Sequence, residues 1–339
     1  MGGSPFGTPY PAKHDVLSRH VIRNEVDLMK FGFVGLGQMG APMAINLAQK
    51  HDVLVYDQNK TAFTNVMRSG AKGADNLEQF ADVDVLITCL PTGNIVNNVL
   101  FDLKLGLAQH LKADTLIVDT STIEYNATLK IRNRLQSASL RFLDAPVSGM
   151  KQRAKDGSLT MMVGGDAEDL AKIQDALSTM ASKILYMGDV GAGQLTKLIN
   201  QLLFDINAAA LAEILPLSVK LGIDPEQVAE VVNSGTGRSY ASEFFIPYIL
   251  RGDFSNGYPM QAAYKDLISG AMISAEHSIP TPVLAAATTT YQQSLLQGFG
   301  EKDKGGMILV YERLLGVKFR AASVQGVKVR VKNTAFELD

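Results

Sequence analysis

One six-residue turn near the start of the chain, Gly35-Leu36-Gly37-Gln38-Met39-Gly40, limits the fold more than any other feature. It directly follows the apolar run Phe31-Gly32-Phe33-Val34 and opens a helical pattern over residues 41–50. In that strand–turn–helix setting the spacing G-x-G-x-x-G reads as a phosphate-binding turn. Gly35 permits the tight turn, Gly37 lets backbone N–H groups approach a pyrophosphate, and Gly40 lets the helix pack close. The N-terminus of the helix then turns its partial positive charge toward the phosphates, with the backbone of Leu36, Gln38 and Met39 completing the cradle. Asp57 ends the next apolar run, Val53-Leu54-Val55-Tyr56, 22 positions after Gly35 (57 − 35). At this spacing an acid accepts from the ribose hydroxyls of a dinucleotide. Its charge repels a 2′-phosphate, so NAD is favoured; Lys60 nearby softens the preference and leaves NADP as the alternative. Asp57 as a helix N-cap is compatible with either role.

Further strand-like runs fall at residues 83–90, 115–118, 141–143, 159–163 and 184–186, with helical stretches between most of them. Strands alternating with helices imply βαβ units and a mainly parallel sheet. The unbroken run Val83-Asp84-Val85-Leu86-Ile87 suits a strand covered on both faces. After Gly188 the strand signals stop. A long apolar helix runs from Gln194 to Leu221, Gly222 closes it, and Asp224-Pro225-Glu226 caps the next. The expected fold class is therefore α/β, a dinucleotide-binding domain followed by an all-helical C-terminal domain. The expected divisions are a flexible extension over 1–29, the dinucleotide-binding domain over 30–190, the helical domain over 191–316, and a basic tail over 317–339. That tail carries Lys318, Arg320, Lys328, Arg330 and Lys332 and reads as an edge strand or a flexible segment.

Composition narrows the function class. The 32 Lys+Arg against 34 Asp+Glu give a net charge of -2, no general attraction for nucleic acid or acidic membranes. Cys89 stands alone, which excludes an intrachain disulfide and a multi-cysteine metal site. His14, His20, His51, His110 and His277 form no ligand pattern, so no metal is expected. Lys197, Asp205, Glu213 and Pro216 interrupt the most apolar stretch, residues 195–221, short of the roughly 20 apolar residues of a membrane span. The expected location is cytoplasmic. The mitochondrion is the alternative, since Arg19 and Arg23 faintly resemble a transit peptide while Asp15, Glu25 and Asp27 oppose one.

Two further segments carry candidate chemistry. Asp144-Ala145-Pro146-Val147-Ser148-Gly149 is a rigid turn offering a hydroxyl and free N–H groups, able to hold a carboxylate or to be an ordinary turn. Lys197 lies in the first turns of the long apolar helix, where burial would lower its pKa and ready it for proton transfer. The alternative is a lysine that snorkels to the surface. Gln201 is four residues on, with Asp205 one turn further along the same face. The adjacent pair Lys265-Asp266, in the helical pattern over residues 262–275, reads by itself as a solvated surface feature.

Taken in order, the fingerprint over 31–40, the turn over 144–149, Gly191-Ala192-Gly193-Gln194-Leu195-Thr196-Lys197, and Lys265-Asp266 resemble the motifs of the β-hydroxyacid dehydrogenase family across residues 31–315. The resemblance implies a Rossmann-type N-terminal domain and reversible hydride transfer between a nicotinamide and a short β-hydroxy acid or semialdehyde. It implies Lys197 as general acid/base, Ser148 and Gly149 holding the substrate carboxylate, and Gln201 or Asn200 orienting the lysine or the substrate oxygen. It further implies that Leu90, Pro91, Asn94 and Thr122 line the cofactor, that Lys265 closes over it beside Asp266, and that the long helix helps build a homodimer or homotetramer. Two departures stand out. Met150 occupies a place where the family often has a second glycine, and Gln201 rather than Asn stands four residues after the lysine. Met150, Lys151, Arg238, Tyr240, Phe244 and Tyr258 are expected to shape the pocket, with Arg238 either binding a second carboxylate or making a surface ion pair. Competing expectations are an imine reductase, a 6-phosphogluconate-type decarboxylating enzyme, and a cofactor-bound interaction module without chemistry. The retained Lys197 weighs against the first and the last.

Overall fold

The structure, a computed structural model, describes residues 29–103 and 106–325. The N-terminal extension up to residue 28 and the tail from residue 326 lie outside the described residues. The chain begins with β1 (Lys30–Val34), α1 (Gly40–Ala48), β2 (Asp52–Tyr56), α2 (Phe63–Met67), β3 (Lys72–Gly73), β4 (Val85–Thr88) and α3 (Gly93–Phe101). It continues through β5 (Leu116–Asp119), α4 (Tyr125–Ser137), β6 (Arg141–Asp144), β7 (Val147–Ser148), α5 (Met150–Lys155), β8 (Leu159–Gly165), α6 (Ala167–Leu177) and β9 (Ala181–Gly188).

These strands form one sheet in the order β3-β2-β1-β4-β5-β6-β8-β7, with β9 beside β8. From β3 to β6 every pairing is parallel; β8 then runs antiparallel to β6 and β7 and parallel to β9. Side chains alternate across the sheet with period two. Phe31, Phe33, Val85 and Ile87 enter a core shared with Met43 and Leu47 on one face. Val34, Leu86 and Ile117 enter a second core with Phe80, Val96, Leu100 and Leu135 on the other. Strands covered on both faces can be apolar throughout, which is why β4 and β5 read as unbroken runs. The order 3-2-1-4-5-6 places a topological switch between β1 and β4, and ligands of such sheets bind in the crevice outside the strand ends there.

The second half is helical: α7 (Ala192–Lys220), α8 (Pro225–Ser234), α9 (Tyr240–Arg251), α10 (Met260–Glu276), α11 (Pro282–Leu296), α12 (Ile308–Leu315) and the short α13 (Ala322–Gln325). α7 is the spine, packed against α9, α10, α11 and α12. Ala208, Ala212 and Leu215 of α7 meet Phe245, Ile249, Met260, Leu267 and Tyr291 in a third core. By length and hydropathy α7 reaches the span of a membrane, with a mean hydropathy of 1.6 over its most apolar window, and Pro216 does not break it. Its Lys197 and Asp205 are buried inside the protein, and its neighbours are other helices and the strands β8 and β9.

The segment expected to be a tail is partly structural. Phe319 is fully buried, and Arg320 makes a buried ion pair with Glu312 of α12, two bonds at 2.6 and 3.0 Å. Residues 319–321 therefore pack onto the helical half, with the Ala321 N–H donating to the Leu250 carbonyl at 2.9 Å, because an ion pair inside the protein needs its fold around it.

One carboxylate joins the halves. Asp144, at the end of β6 and fully buried, accepts from the N–H of Gly191 at 2.6 Å and of Gln194 at 2.8 Å. These are donors that the first turn of a helix leaves without partners. Gln194 adds a second tie: its side chain donates to the carbonyl of Ser121 at 2.7 Å and accepts from the N–H of Ile123 at 3.2 Å. The contact is so close that a Cβ on Gly193 would lie 2.4 Å from the Met162 carbonyl oxygen. Asp144→Ala strands two buried N–H groups and is expected to lower unfolding free energy by about 3 kcal/mol, read by denaturant titration.

Candidate active site

The glycine turn leaves β1 at the switch point. Gly35 has φ +98°, and a Cβ there would lie 2.3 Å from the Cys89 carbonyl oxygen; one on Gly40 would lie 1.9 Å from the Gly35 carbonyl oxygen. Both positions are closed by the protein's own packing. Gly37 differs: nothing lies within 4 Å of the position its Cβ would take, and the residue is exposed. The absence of a side chain there serves approach from outside, which fits a pyrophosphate laid along the turn. Asp57 reaches back to this turn, its Oδ2 accepting from the Leu36 N–H at 2.7 Å and its Oδ1 from the Asn59 N–H at 2.7 Å. A carboxylate has lone pairs left for a ribose hydroxyl, so holding the turn and holding a dinucleotide are compatible.

Beside the turn, a cavity of about 710 Å³ opens between the sheet ends and the helical half. From the sheet side it is lined by Met39, Leu90, Pro91, Thr122, Ser148, Gly149 and Met150; from the helical side by Lys197, Asn200, Gln201, Tyr240, Phe244, Tyr258, Lys265 and Asp266. Residues separated by up to 265 positions (Met39 to Lys304, 304 − 39) therefore share one wall. The loops on the sheet side are tied to each other. Leu90 N–H donates to Ser121 Oγ at 2.8 Å, and Ser121 N–H donates to Asp119 Oδ1 at 3.1 Å. Of the expected site residues, Asn94 is exposed on α3 and does not line the cavity. Arg238 pairs at 2.8 Å with Glu243 on the surface, and neither it nor Lys151 lines the cavity.

Lys197 is only 7% exposed, so the long helix buries it. Its Nζ donates to Gln201 Oε1 at 3.2 Å, and Gln201 Nε2 donates to Asp266 Oδ2 at 3.4 Å. Of the two amides after the lysine, Gln201 meets the amine and Asn200 is exposed at the cavity wall. Burial pulls the Lys197 pKa down to about 8, with Lys304 pushing the same way and Asp266 and Asp205 opposing. Burial likewise raises Asp266 above the usual carboxylate range, against the pull of Lys265 and Lys304. Lys265 Nζ donates to the Thr122 carbonyl at 3.3 Å, bridging the halves across the cavity. Cys89 also lines the wall, but burial pushes its thiol up to about 12, which leaves no thiolate for covalent chemistry at neutral pH.

The departure at Met150 has a backbone consequence. Gly149 has φ +141° and Met150 φ +61°, so the methionine holds a left-handed conformation at a cost of about 1 kcal/mol. Tyr240 Oη donates to its Sδ at 3.2 Å, joining the loop to α9 across the cavity mouth. Sequence reasoning missed Lys304, which lines the cavity from the 3-10 turn Lys304–Met307 and is 2% exposed. Nothing in Lys302-Asp303-Lys304 distinguishes it from a solvated charge run; only the two glycines after it hint at a tight turn.

Known proteins with this arrangement handle nicotinamide cofactors. Residues 30–188 match the family model described as the NAD binding domain of 6-phosphogluconate dehydrogenase. Residues 191–311 match the one described as NAD-binding of NADP-dependent 3-hydroxyisobutyrate dehydrogenase. The 2-(hydroxymethyl)glutarate dehydrogenase of Eubacterium barkeri is 38% identical, covering 85% of this chain and 97% of that one. The mitochondrial 3-hydroxyisobutyrate dehydrogenase of Drosophila melanogaster is 32% identical, covering 91% and 97%. Among solved structures, the 3-hydroxyisobutyrate dehydrogenase of Mycobacterium tuberculosis with L-serine superposes at a TM-score of 0.75 with 30% identity, covering 84% and 99%.

The glycines separate fold from ligand. Gly37→Ala is expected to keep the melting temperature and weaken NADH binding about tenfold, by holding the pyrophosphate off its N–H donors. Gly40→Ala is expected to lower the melting temperature itself. Fluorescence titration with NADH and a thermal melt on both variants check the contrast.

Proposed function

Because the chain belongs to the β-hydroxyacid dehydrogenase family and is an NAD(P)-dependent 3-hydroxyacid dehydrogenase, we propose that Lys197 is its general acid/base toward a short carboxylate-bearing hydroxy acid or semialdehyde. The observation that carries the reading is a buried amine on the cavity wall whose nearest partner is a neutral amide. An ammonium clamped on a carboxylate keeps its proton; one facing Gln201 can release it near neutral pH.

The bound nicotinamide would accept or supply the hydride, and the protein positions and protonates. Backbone N–H groups over 35–40 hold the dinucleotide's phosphates and Asp57 its ribose, while Leu90, Pro91 and Thr122 flank the reactive end. Asn94 is kept as a more distant cofactor contact, from the start of α3. Ser148 and Gly149 receive the substrate carboxylate, which sets its hydroxyl carbon toward Lys197. In oxidation, neutral Lys197 takes the hydroxyl proton as the carbon gives up hydride. In reduction, protonated Lys197 returns that proton to the forming alkoxide. Gln201 orients the amine, with Asn200 nearer the substrate, and Asp266 fixes Gln201. Lys265, anchored on Thr122, closes the two halves over the cofactor.

The same reading extends to assembly as a homodimer or homotetramer. Ile199, Leu203, Ile214, Leu217 and Leu221 form an exposed apolar stripe along α7, of a kind monomeric proteins rarely leave in water, and a second copy of the chain is the occupant proposed for it. Ile214→Glu is expected to reduce the mass seen by light scattering toward that of one chain.

Lys197→Ala is expected to lower kcat by about 10²–10⁴ while NADH still binds. The sign of the pH dependence follows from which form of the amine works. Oxidation needs neutral Lys197, so its rate rises about tenfold per pH unit up to about 8 and then levels; reduction needs the ammonium and declines above it. Absorbance-monitored turnover on short hydroxy acids and semialdehydes, in both directions, measures each.

A further inference from the structure

A second lysine shares the cavity with Lys197 and is built quite differently. Lys304 is 2% exposed, and its Nζ is ion-paired with Oδ1 of Asp205, itself fully buried on α7. Tyr291 of α11 also donates to that oxygen at 3.0 Å, while Asp205 Oδ2 has no partner among the described residues. The ammonium lies 4.5 Å from the ring centroid of Phe204. Its backbone is held just as firmly. Asp303 accepts from the N–H groups of Asn256, Gly257 and Gly305 at 3.1, 3.2 and 2.9 Å, stapling the turn to the preceding loop.

A buried ion pair is a poor device for stability, since an apolar pair of the same volume usually does as well. Its cation nevertheless lines the cavity. Asp205 stands eight residues after Lys197, with Gln201 midway, so the three share one face of α7. We infer that Lys304 is a positioning residue for proton transfer: pinned by Asp205, its fixed positive charge opposes protonation of Lys197 and keeps the amine exchanging its proton.

The inference rests on Lys197 as general acid/base. Around that amine stand Asp205 on its own helix, Lys265 and Asp266 on α10, Tyr258 from the loop before α10, and Lys304 on the 3-10 turn. Tyr291 of α11 faces Asp205, and Asp144 is committed to the first turn of α7. Besides burial, Lys304 disfavours the charged amine, while Asp266 and Asp205 favour it, Asp266 the more strongly of the two.

The test is the pH profile of kcat/KM for hydroxy-acid oxidation in the full chain, for Lys304→Met, Lys304→Arg and the paired Lys304→Met/Asp205→Asn variant. In Lys304→Met the acidic limb is expected to move up by about one pH unit. The arginine variant restores the original limb, and the paired variant also moves it upward, by less. If Lys197→Ala turns over at close to the unsubstituted rate, the acid/base reading fails and this inference with it. A Lys197-dependent limb that stays in place in a folded Lys304→Met variant overturns this inference alone. Unfolding of both methionine variants beside a folded arginine variant marks Lys304 as purely structural and overturns it as well.

Discussion

The fold depends on a carboxylate with no water to face. Asp144 ends β6 beneath the first turn of α7, and its two oxygens take up helix donors that would otherwise be buried without partners. Asp119, its register partner on β5, does the same for the neighbouring loop, accepting from Thr88 Oγ1 at 2.8 Å and the Ser121 N–H at 3.1 Å. Burial raises both carboxyls to about 6, and backbone or hydroxyl donors draw them back. From these two acids a chain of hydrogen bonds runs through Ser121 to Leu90 and through Gln194 to Ile123. The loops after β4 and β5 and the head of α7 are thereby tied into one hydrogen-bonded assembly along one side of the cavity.

Within that frame the two buried lysines are distinguished by partner rather than by burial. Lys304 receives a carboxylate and a tyrosine hydroxyl's company, a setting that holds the positive charge. Lys197 receives an amide oxygen, with the nearest carboxylate placed one residue further along the chain of contacts, on the far side of Gln201. A low-dielectric interior magnifies that difference. Glutamine at position 201 is therefore not a passive spacer: an acid there would lock the proton onto the lysine, and an apolar residue would release its orientation.

The sequence carried the order of the fold and most of the cavity wall because both rest on local rules. A glycine turn after an apolar run, strands alternating with helices, and a lysine inside an apolar helix are all visible without coordinates. What escaped reading depends on distant partners. β7 is two residues long and exists only because Val147 and Ser148 pair with Met161 and Thr160. Arg320 looked like part of a loose basic tail until Glu312 buried it. Lys304 looked solvated because its counter-ion lies 99 residues away on another helix. Arg238 resolves to one of its two expected roles, the surface ion pair, because Glu243 five residues on holds it outside the cavity. Met150 was visible as a departure, but its left-handed backbone was not.

α7 also bears on how such a chain can change over generations. The head of the helix is clamped to the sheet, its second to fourth turns carry Lys197, Gln201 and Asp205, and its outer stripe runs on to Leu221. Each residue of an α-helix turns the next by about 100°. A single inserted or deleted residue midway along α7 would swing everything beyond it by that angle, so that the buried Leu215 and the exposed Ile214 and Leu217 would no longer face the sides they now face. Substitutions can be absorbed one at a time along this rod, whereas its length cannot drift. Gains and losses of residues in related chains should therefore gather in the connections between elements and avoid the span 192–220.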